Sequence, residues 1–512
     1  VLDGVLDQPV STNSVNLGLQ VQGTDFDGDK SNLGTLNITI TDGALPQVSP
    51  VSLTLTEDSN WQQGQTLDGD LTITAGSDPL ASITFDANQP GLQGFTSGKQ
   101  AVTITVADHL IEGRTPDGTL VFELTLGNDG KYSFTLHQPL DQGSADSLLK
   151  AGFTLLDSDG DKVATTITVA VGDGANPTIS AVTGTAITEM AQGEAAAVST
   201  MSFVVTHGSD ALDPASLGFD IASIQSSLTG LTSHGSLISF SLDGNGQLVG
   251  TTADGREILR AELSLVEQSG NWSVSARVTL TGELDHQGSE SLNLPLVVTL
   301  ADKDGDRIGT TLPLTIADGK APSFIPGTGV ILDEGNLTGN NSLSQTGHFD
   351  VQAGSDRVVE VAFADASEQP ALTALGKPVQ YELVDGNSAI PGSQLIKGYV
   401  MVDGQRVEVF EVRLVGTLDQ AGKNGFDYQV TLYQGIHQGA NAVTELPIKV
   451  IVNDYDKAGG NNDSTSGTLA IQIGEGETPT LTLTGVTLGE GRFDGVGSSG
   501  DDQHATGTIT IT

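Results

Sequence analysis

The chain has no cysteine among its 512 residues, so no disulfide can staple it, and small extracellular domains built from it would need bound metal instead. Aromatic residues make up only 4% of the sequence, which leaves little material for an aromatic-lined ligand pocket. Positive charge is scarce. The 21 Lys and Arg stand against 64 Asp and Glu, and the resulting net charge of −43 argues against nucleic acid or an anionic membrane surface as partner. No apolar run is long enough to cross a membrane as a helix, so no membrane insertion is expected. A phosphate-binding glycine loop, a nucleophile elbow and a long amphipathic helix are also missing. The eight histidines do not recur in step: His207 falls where other copies of its motif have Ala75 and Ala353, so neither an enzyme nor a zinc constellation is expected.

What is present is enough to fold. Hydrophobic residues make up 37% and many alternate with polar ones, which separates this chain from acidic disordered sequences. Its length exceeds what one core usually organises, so several domains are expected.

The chain repeats. An acid after a Thr- or Leu-rich strand recurs in "TLTEDS", "AITEMA", "ILDEGN" and "TLGEGR" at Glu57, Glu189, Glu334 and Glu490. Gly-Ser-Asp closes three later strands at Asp78, Asp210 and Asp356. Next come "PLDQG", "ELDHQG" and "TLDQAG", with Asp141, Asp285 and Asp419, and "VLDQP" at Asp7 reads as a further copy. An Asp-rich turn follows each: "TDFDGD" (Asp25, Asp27, Asp29), "LDSDGD" (Asp157, Asp159, Asp161), "ADKDGD" (Asp302, Asp304, Asp306) and a decayed "NDYDKAGGNND" (Asp454, Asp456, Asp463). Each turn leads through a strand to an acidic Gly/Pro linker, "TDGALPQ", "GDGANPT", "ADGKAPS" or "GEGETPT".

Cutting at the linker prolines gives the C-terminal part of one repeat (1–46), three whole repeats (47–177, 178–322 and 323–479) and the N-terminal part of another (480–512). A piece of a longer array is therefore expected. Units of about 100–150 residues are the size of independent domains, larger than solenoid repeats. In the first whole repeat, period-2 segments occur at "VSLTLT", "DLTITA", "ASITFD", "AVTITVA", "TLVFELTL", "KYSFTLH", "AGFTLLD" and "ATTITVAV", predicting an antiparallel β-sandwich. Asn-Asp-Gly inside "FELTLGNDGKYSFTL" marks one hairpin. "SIQSSL" and "ADSLLKAG" read as single helical turns.

Asp-x-Asp-Gly-Asp delivers several carboxylates from one tight turn, and calcium takes six to eight oxygen ligands. Asp and Gly are also ordinary turn residues. Four kinds of acidic marker returning in one fixed order favour the metal. An EF-hand does not fit, because counting from Asp157 the glycine is fourth and position twelve is Thr168, and from Asp302 position twelve is Pro313. The glycine-rich nonapeptide of a calcium β-roll is absent too, so the site has to be assembled from distant parts of the chain.

The order of Glu, acidic strand end, Leu-Asp, Asp-x-Asp and acidic Pro linker resembles the layout of cadherin repeats. That resemblance implies Ca2+ clamped between neighbouring repeats. Carried over, Glu57, Asp141 and Asp173 would face Asp210, Asp302 and Asp304, and Glu189, Asp285 and Asp318 would face Asp356, Asp454 and Asp456. The same set includes Asp25, Asp27, Asp29, Asp78, Asp157, Asp159, Asp161, Asp306, Glu334 and Asp419 as metal ligands. Gly-Ser-Asp replaces the cadherin Asp-x-Asp, and the linkers carry fewer acids, which implies fewer ions per junction. Composition and the "GSD…LDxG…DxDGD" order look more like the extender repeats of giant RTX adhesins of bacteria.

The resemblances imply an all-β fold, a tandem array of Ig-like or cadherin-like antiparallel β-sandwich domains joined by short acidic linkers. They also imply a monomeric calcium-stiffened rod outside the cell at a bacterial surface, secreted by a type I system, serving cell adhesion or biofilm formation. Its partners would be neighbouring repeats, with a glycan or cell-surface receptor bound elsewhere in the parent protein. The alternative is a repeat that itself binds glycan or a partner cell, with the insertion "QGIHQGANAVTE" the place to look. Trp61 would then be a sugar platform, whereas Trp272 is expected in a core. Six carboxylates about 5 Å apart repel by on the order of 10 kcal/mol in water before screening, so ion-free junctions should splay.

Overall fold

The structure is a computed structural model that describes residues 14–59, 63–142, 145–339, 341–384, 394–416, 423–437, 443–456, 463–476, 480–487 and 505–511. Three separate hydrophobic cores occupy it. One is built around Phe122, Phe134 and Phe153, the next around Trp272, Phe203 and Leu296, and the last around Phe349, Phe410 and Phe426. Trp272 is only 1% exposed, in the core as expected. Trp61 lies outside the described residues.

Each core is the filling of a β-sandwich. In the first, one sheet has the order Thr103–Ala107, Leu110–Arg114, Leu120–Leu126, Lys131–Leu136, Gln65–Asp70. The facing sheet runs Val51–Thr56, Lys162–Gly172, Ser147–Asp157, Leu80–Phe85. The alternation is physical: Leu149, Ala151, Phe153 and Leu155 point inward from one strand, and Ile167, Val169 and Val171 from its partner. The Asn-Asp-Gly hairpin forms, with Gly130 at φ 81°.

The structure corrects three expectations. The sandwich is not wholly antiparallel, because the second strand of each repeat pairs parallel to the last: Val51–Thr56 with Lys162–Gly172, Ile187–Thr188 with Arg307–Ala317, and Val330–Asp333 with Ile471–Gly474. A parallel pair needs a long crossover, and here the whole repeat is that crossover. Secondly, the strand expected at "DLTITA" lies earlier, at Gln65–Asp70, and only Ile73–Thr74 of the expected segment is paired, with Gln47–Val48. Thirdly, "ADSLLKAG" belongs to strand Ser147–Asp157, because alternate burial of Leu149 and Ala151 outweighs its helix propensity. "SIQSSL" does hold a helix, Ile221–Ser227, capped by Asp220, which accepts from the Ser223 N–H.

Candidate metal centres at the domain junctions

Parallel pairing of an early strand with the last decides what the downstream end of each repeat carries. Thr56 lies beside Gly172, Thr188 beside Ala317 and Asp333 beside Gly474. The next residues therefore leave the sheet at one corner, Glu57 with Asp173, Glu189 with Asp318 and Glu334 with Glu475. The glutamate then captures the Leu-Asp segment: Glu57 Oε1 accepts from the Leu140 N–H at 2.8 Å and from Gln142 Nε2 at 2.6 Å. Glu189 Oε1 accepts from the Leu284 N–H at 2.7 Å. The following aspartates are pinned by one oxygen each, Asp141 Oδ2 by the Lys99 N–H at 2.7 Å and Asp285 Oδ2 by the Gly235 N–H at 2.8 Å.

The third repeat departs from the expected alignment. Glu334 Oε1 accepts from the Ile436 N–H at 2.6 Å, and His437 N–H bonds to the Thr373 carbonyl as Asp141 does to Thr96 and Asp285 to Thr232. His437 therefore holds the position of Asp141 and Asp285. Asp419 itself lies outside the described residues, between strands Gln405–Gly416 and Lys423–Leu432, a pair matching Leu120–Leu126 and Lys131–Leu136 of the first repeat. Asp7 and Glu490 also lie outside the described residues.

The upstream end of each repeat carries the Asp-rich turn. Asp157 Oδ1 accepts from the Asp161 N–H at 2.7 Å, Asp302 Oδ1 from the Asp306 N–H at 2.7 Å, and Asp25 Oδ1 from the Asp29 N–H at 2.9 Å. Gly160 and Gly305 sit at φ 105° and 118°, where a side chain would strain the turn. In the decayed copy Asp454 N–H bonds to the Asp463 carbonyl at 3.0 Å, as Asp157 N–H does to Asp161 at 3.1 Å, which makes Asp463 the partner of Asp161 and Asp306.

Gly-Ser-Asp has a mechanical use that the sequence did not disclose. Ser77, Ser209 and Ser355 donate their backbone N–H to the linker carbonyls of Ala44, Ala175 and Lys320 at 2.8, 2.8 and 2.9 Å. Ser77 Oγ and Ser355 Oγ accept in return from the Ala44 and Lys320 N–H groups, both at 2.8 Å. A Cβ on Gly76, Gly208 or Gly354 would overlap those same linker carbonyl oxygens. Each linker is thus latched onto the next repeat, and the latch sets Asp78, Asp210 and Asp356 beside the preceding repeat's acids.

Three clusters result. At the junction after the first partial repeat, one carboxylate oxygen each from Asp42, Asp159 and Asp161 lie within 4.8 Å of one another. At the next, Glu57, Asp173 and Asp210 form one such group, and Asp173 forms another with Asp304 and Asp306. At the third, Glu189, His286 and Asp318 converge, all buried. Asp356, Asp454 and Asp456 crowd the same place, since Asp356 is raised by burial and then by the charges of Glu189, Asp456, Asp454 and Asp318. Asp302 likewise acts on Asp210. Asp25, Asp27 and Asp29 are exposed and meet no other group of acids among the described residues. Asp42, His286, Asp463 and Glu475 escaped the sequence reading as site residues; Asp42 and Glu475 were legible as linker acids in register with Asp173 and Asp318.

The electrostatics call for a cation. Burial, with repulsion from neighbouring carboxylates, pushes Glu57 up to about 8, Asp210 to about 9 and Asp356 to about 10. Burial and Asp463 push Asp454 up to about 8, and burial and Asp302 push Asp304 to about 7. Glu57 Oε2, Asp141 Oδ1 and Asp304 Oδ1 at the second junction are buried without a hydrogen-bond partner, as are Glu189 Oε2, Asp285 Oδ1 and Asp356 Oδ1 at the third. Buried oxygens without donors are costly, and a hard divalent cation would satisfy several at once.

No protein-family model and no curated protein matches the chain. Solved structures similar to it include protocadherin gamma B2 extracellular cadherin domains 3–6, at 13% identity and a TM-score of 0.24 over 87% of this chain and 76% of that one. Drosophila N-cadherin EC1–3 is similar at 13% identity and a TM-score of 0.26, over 83% and 98%. Human CDH23 EC21–23 is similar at 10% identity and a TM-score of 0.22, over 84% and 100%. Likeness at that level carries no conclusion about function, and the junction geometry has to supply one.

Proposed function

We propose that the chain is a calcium-rigidified extender of a large repetitive bacterial surface adhesin, holding a distal adhesive domain away from the cell for adhesion or biofilm formation. In this reading it works outside the cell after type I secretion, its repeats are 47–177, 178–322 and 323–479, and its immediate partners are its own neighbouring repeats. The observation that carries the reading is the recurrence of one junction plan. A glutamate and a linker acid from one repeat meet an aspartate and an Asp-rich turn from the next, and the glutamate and the Leu-Asp carboxylate each keep a partnerless buried oxygen at both complete junctions.

Calcium fits this donor set. It takes six to eight oxygens at about 2.3–2.6 Å and accepts irregular geometry, and Glu57, Asp173, Asp210, Asp304 and Asp306, grouped at the second junction, all offer carboxylates. The ion would neutralise the crowding that otherwise forces these groups to hold protons. Glu57, Asp141, Asp173, Asp210, Asp302 and Asp304 are the residues that would hold it there. Extracellular calcium modules bind at about 10⁻⁴–10⁻³ M, so filling would follow the passage from cytoplasm to outside.

Among the described residues of its expected place, 434–437 and 443–445, the glycan-binding alternative finds no support. Ile436 in "QGIHQGANAVTE" serves Glu334 through its backbone, and the cavity of about 400 Å³ lined by Val330, Ile331, Glu445, Pro447, Leu469 and Ile471 has no aromatic wall. Small-angle scattering with calcium and then with chelator tests the extender. Its maximum dimension should shorten or broaden on chelation, and an unchanged profile would defeat the proposal.

A further inference from the structure

The third junction differs from the second at one position, and that difference changes which metal it suits. His286 stands where the preceding repeat has Gln142. Gln142 is a donor: its Nε2 lies 2.6 Å from Glu57 Oε1 and makes an ordinary hydrogen bond. His286 Nε2 lies 3.5 Å from Glu189 Oε1, too far for one, and both side chains are 1% exposed. The other ring nitrogen, Nδ1, faces the Ser289 carbonyl at 3.1 Å and donates to it. In the neutral ring this leaves the Nε2 lone pair without a donor, facing Glu189 Oε1, which takes its hydrogen bond from the Leu284 N–H, while Glu189 Oε2 is buried without a partner.

Nδ1–H bound to a backbone carbonyl and Nε2 facing carboxylates is the arrangement in which metal-ligating histidines are held. Distance agrees as well. Zinc–nitrogen and zinc–oxygen bonds of about 2.0–2.2 Å at a tetrahedral angle place two ligand atoms about 3.4 Å apart, close to the observed separation. Asp318 brings a third ligand atom within 4.8 Å of the other two, and the buried, partnerless Glu189 Oε2 and Asp356 Oδ1 are further oxygens at the same place.

We propose that Glu189, His286 and Asp318 form a site for a borderline divalent transition metal, Zn2+ or a close analogue, at the junction between repeats 178–322 and 323–479, whereas the junction before it is an all-oxygen site. Imidazole suits zinc and its neighbours, and calcium keeps to oxygen. The inference rests on the reading that these junctions hold divalent cations. The rod would then carry one joint whose stiffness answers to a trace metal and others that answer to calcium.

Cobalt(II) serves as the probe, because a tetrahedral site gives it visible absorption. The whole chain, saturated with calcium, is titrated with Co2+. An absorption band saturating at about one ion per chain and bleached by Zn2+ is expected. His286→Gln, which restores the side chain found at Gln142, should abolish the band or weaken affinity by more than about tenfold. No band in the unaltered chain, or an equal band in His286→Gln, overturns the proposal. Calcium-dependent scattering is recorded on both proteins. If it persists while the cobalt band is absent, only the transition-metal site fails, whereas loss of the scattering response removes the calcium reading itself.

Discussion

At the scale of the residue, carboxylates do the work, and their protonation states give a test. Unfolded carboxyl groups titrate near ~4, whereas Glu57, Asp210 and Asp356 titrate in the folded, ion-free chain at about 8, 9 and 10. A raised folded value means that the protonated form favours the folded junction. That contribution is complete below pH ~4 and is lost as pH rises through the folded values, so the ion-free junction should weaken toward alkaline pH. Calcium should reverse the trend and expel protons when it binds near neutrality. Titration calorimetry in two buffers of different ionisation enthalpy reads the expelled protons, and heats independent of buffer would refute the coupling. Of these residues, the acids were legible because turn chemistry is local, as in Asp157–Asp161. The limit shows at His437, which can be matched to Asp141 only through its hydrogen bond to Thr373, made across a fold that spelling does not contain.

At the scale of the element, linkers matter more than strands. Each is short, acidic and glycine-bearing. The backbone bonds from Ser77, Ser209 and Ser355 make it a fitted part. Gly208→Ala should therefore act on the joint and spare the sandwich, since its Cβ would overlap the Ala175 carbonyl while the core around Trp272 is untouched. Scattering in calcium should show a bend, while hydrogen exchange at strand Asn271–Leu280 stays as protected as before. Loss of protection there would mean that the glycine serves the fold and not the latch. The parallel pairing of Val51–Thr56 with Lys162–Gly172 belongs to this scale as well. Alternation predicted both strands, but two strands of equal period pair equally well in either direction, and the choice falls to the packing of the whole repeat.

At the scale of the molecule, charge and architecture combine. A chain of net charge −43 repels itself, and the repulsion is sharpest where two repeats bring their acids together. Cations convert that into joints that are closed only when filled. Because each junction draws on its own residues, damage should stay local. Asp302→Ala with Asp304→Ala removes two carboxylates from the second junction and none from the others. In calcium, scattering of this double variant should fit one bend in an otherwise straight chain, and the unfolding temperature of each sandwich should hold. Bending at every junction, or none, would contradict independent joints. Among the described residues no helix is long and apolar enough to cross a membrane.

The sequence by itself determined the repeats, the β-sandwich alternation, the tight Asp-Gly-Asp turns and the order of acids along the chain. All of these follow from spacings of a few residues and from composition. Tertiary structure decided that an early strand of each repeat runs parallel to its last, that glycine and serine latch the linkers, and that His286 meets Glu189 and Asp318. Those contacts join residues up to a whole repeat apart, and only the closing of each core fixes which of many chemically suitable partners arrive at the same corner.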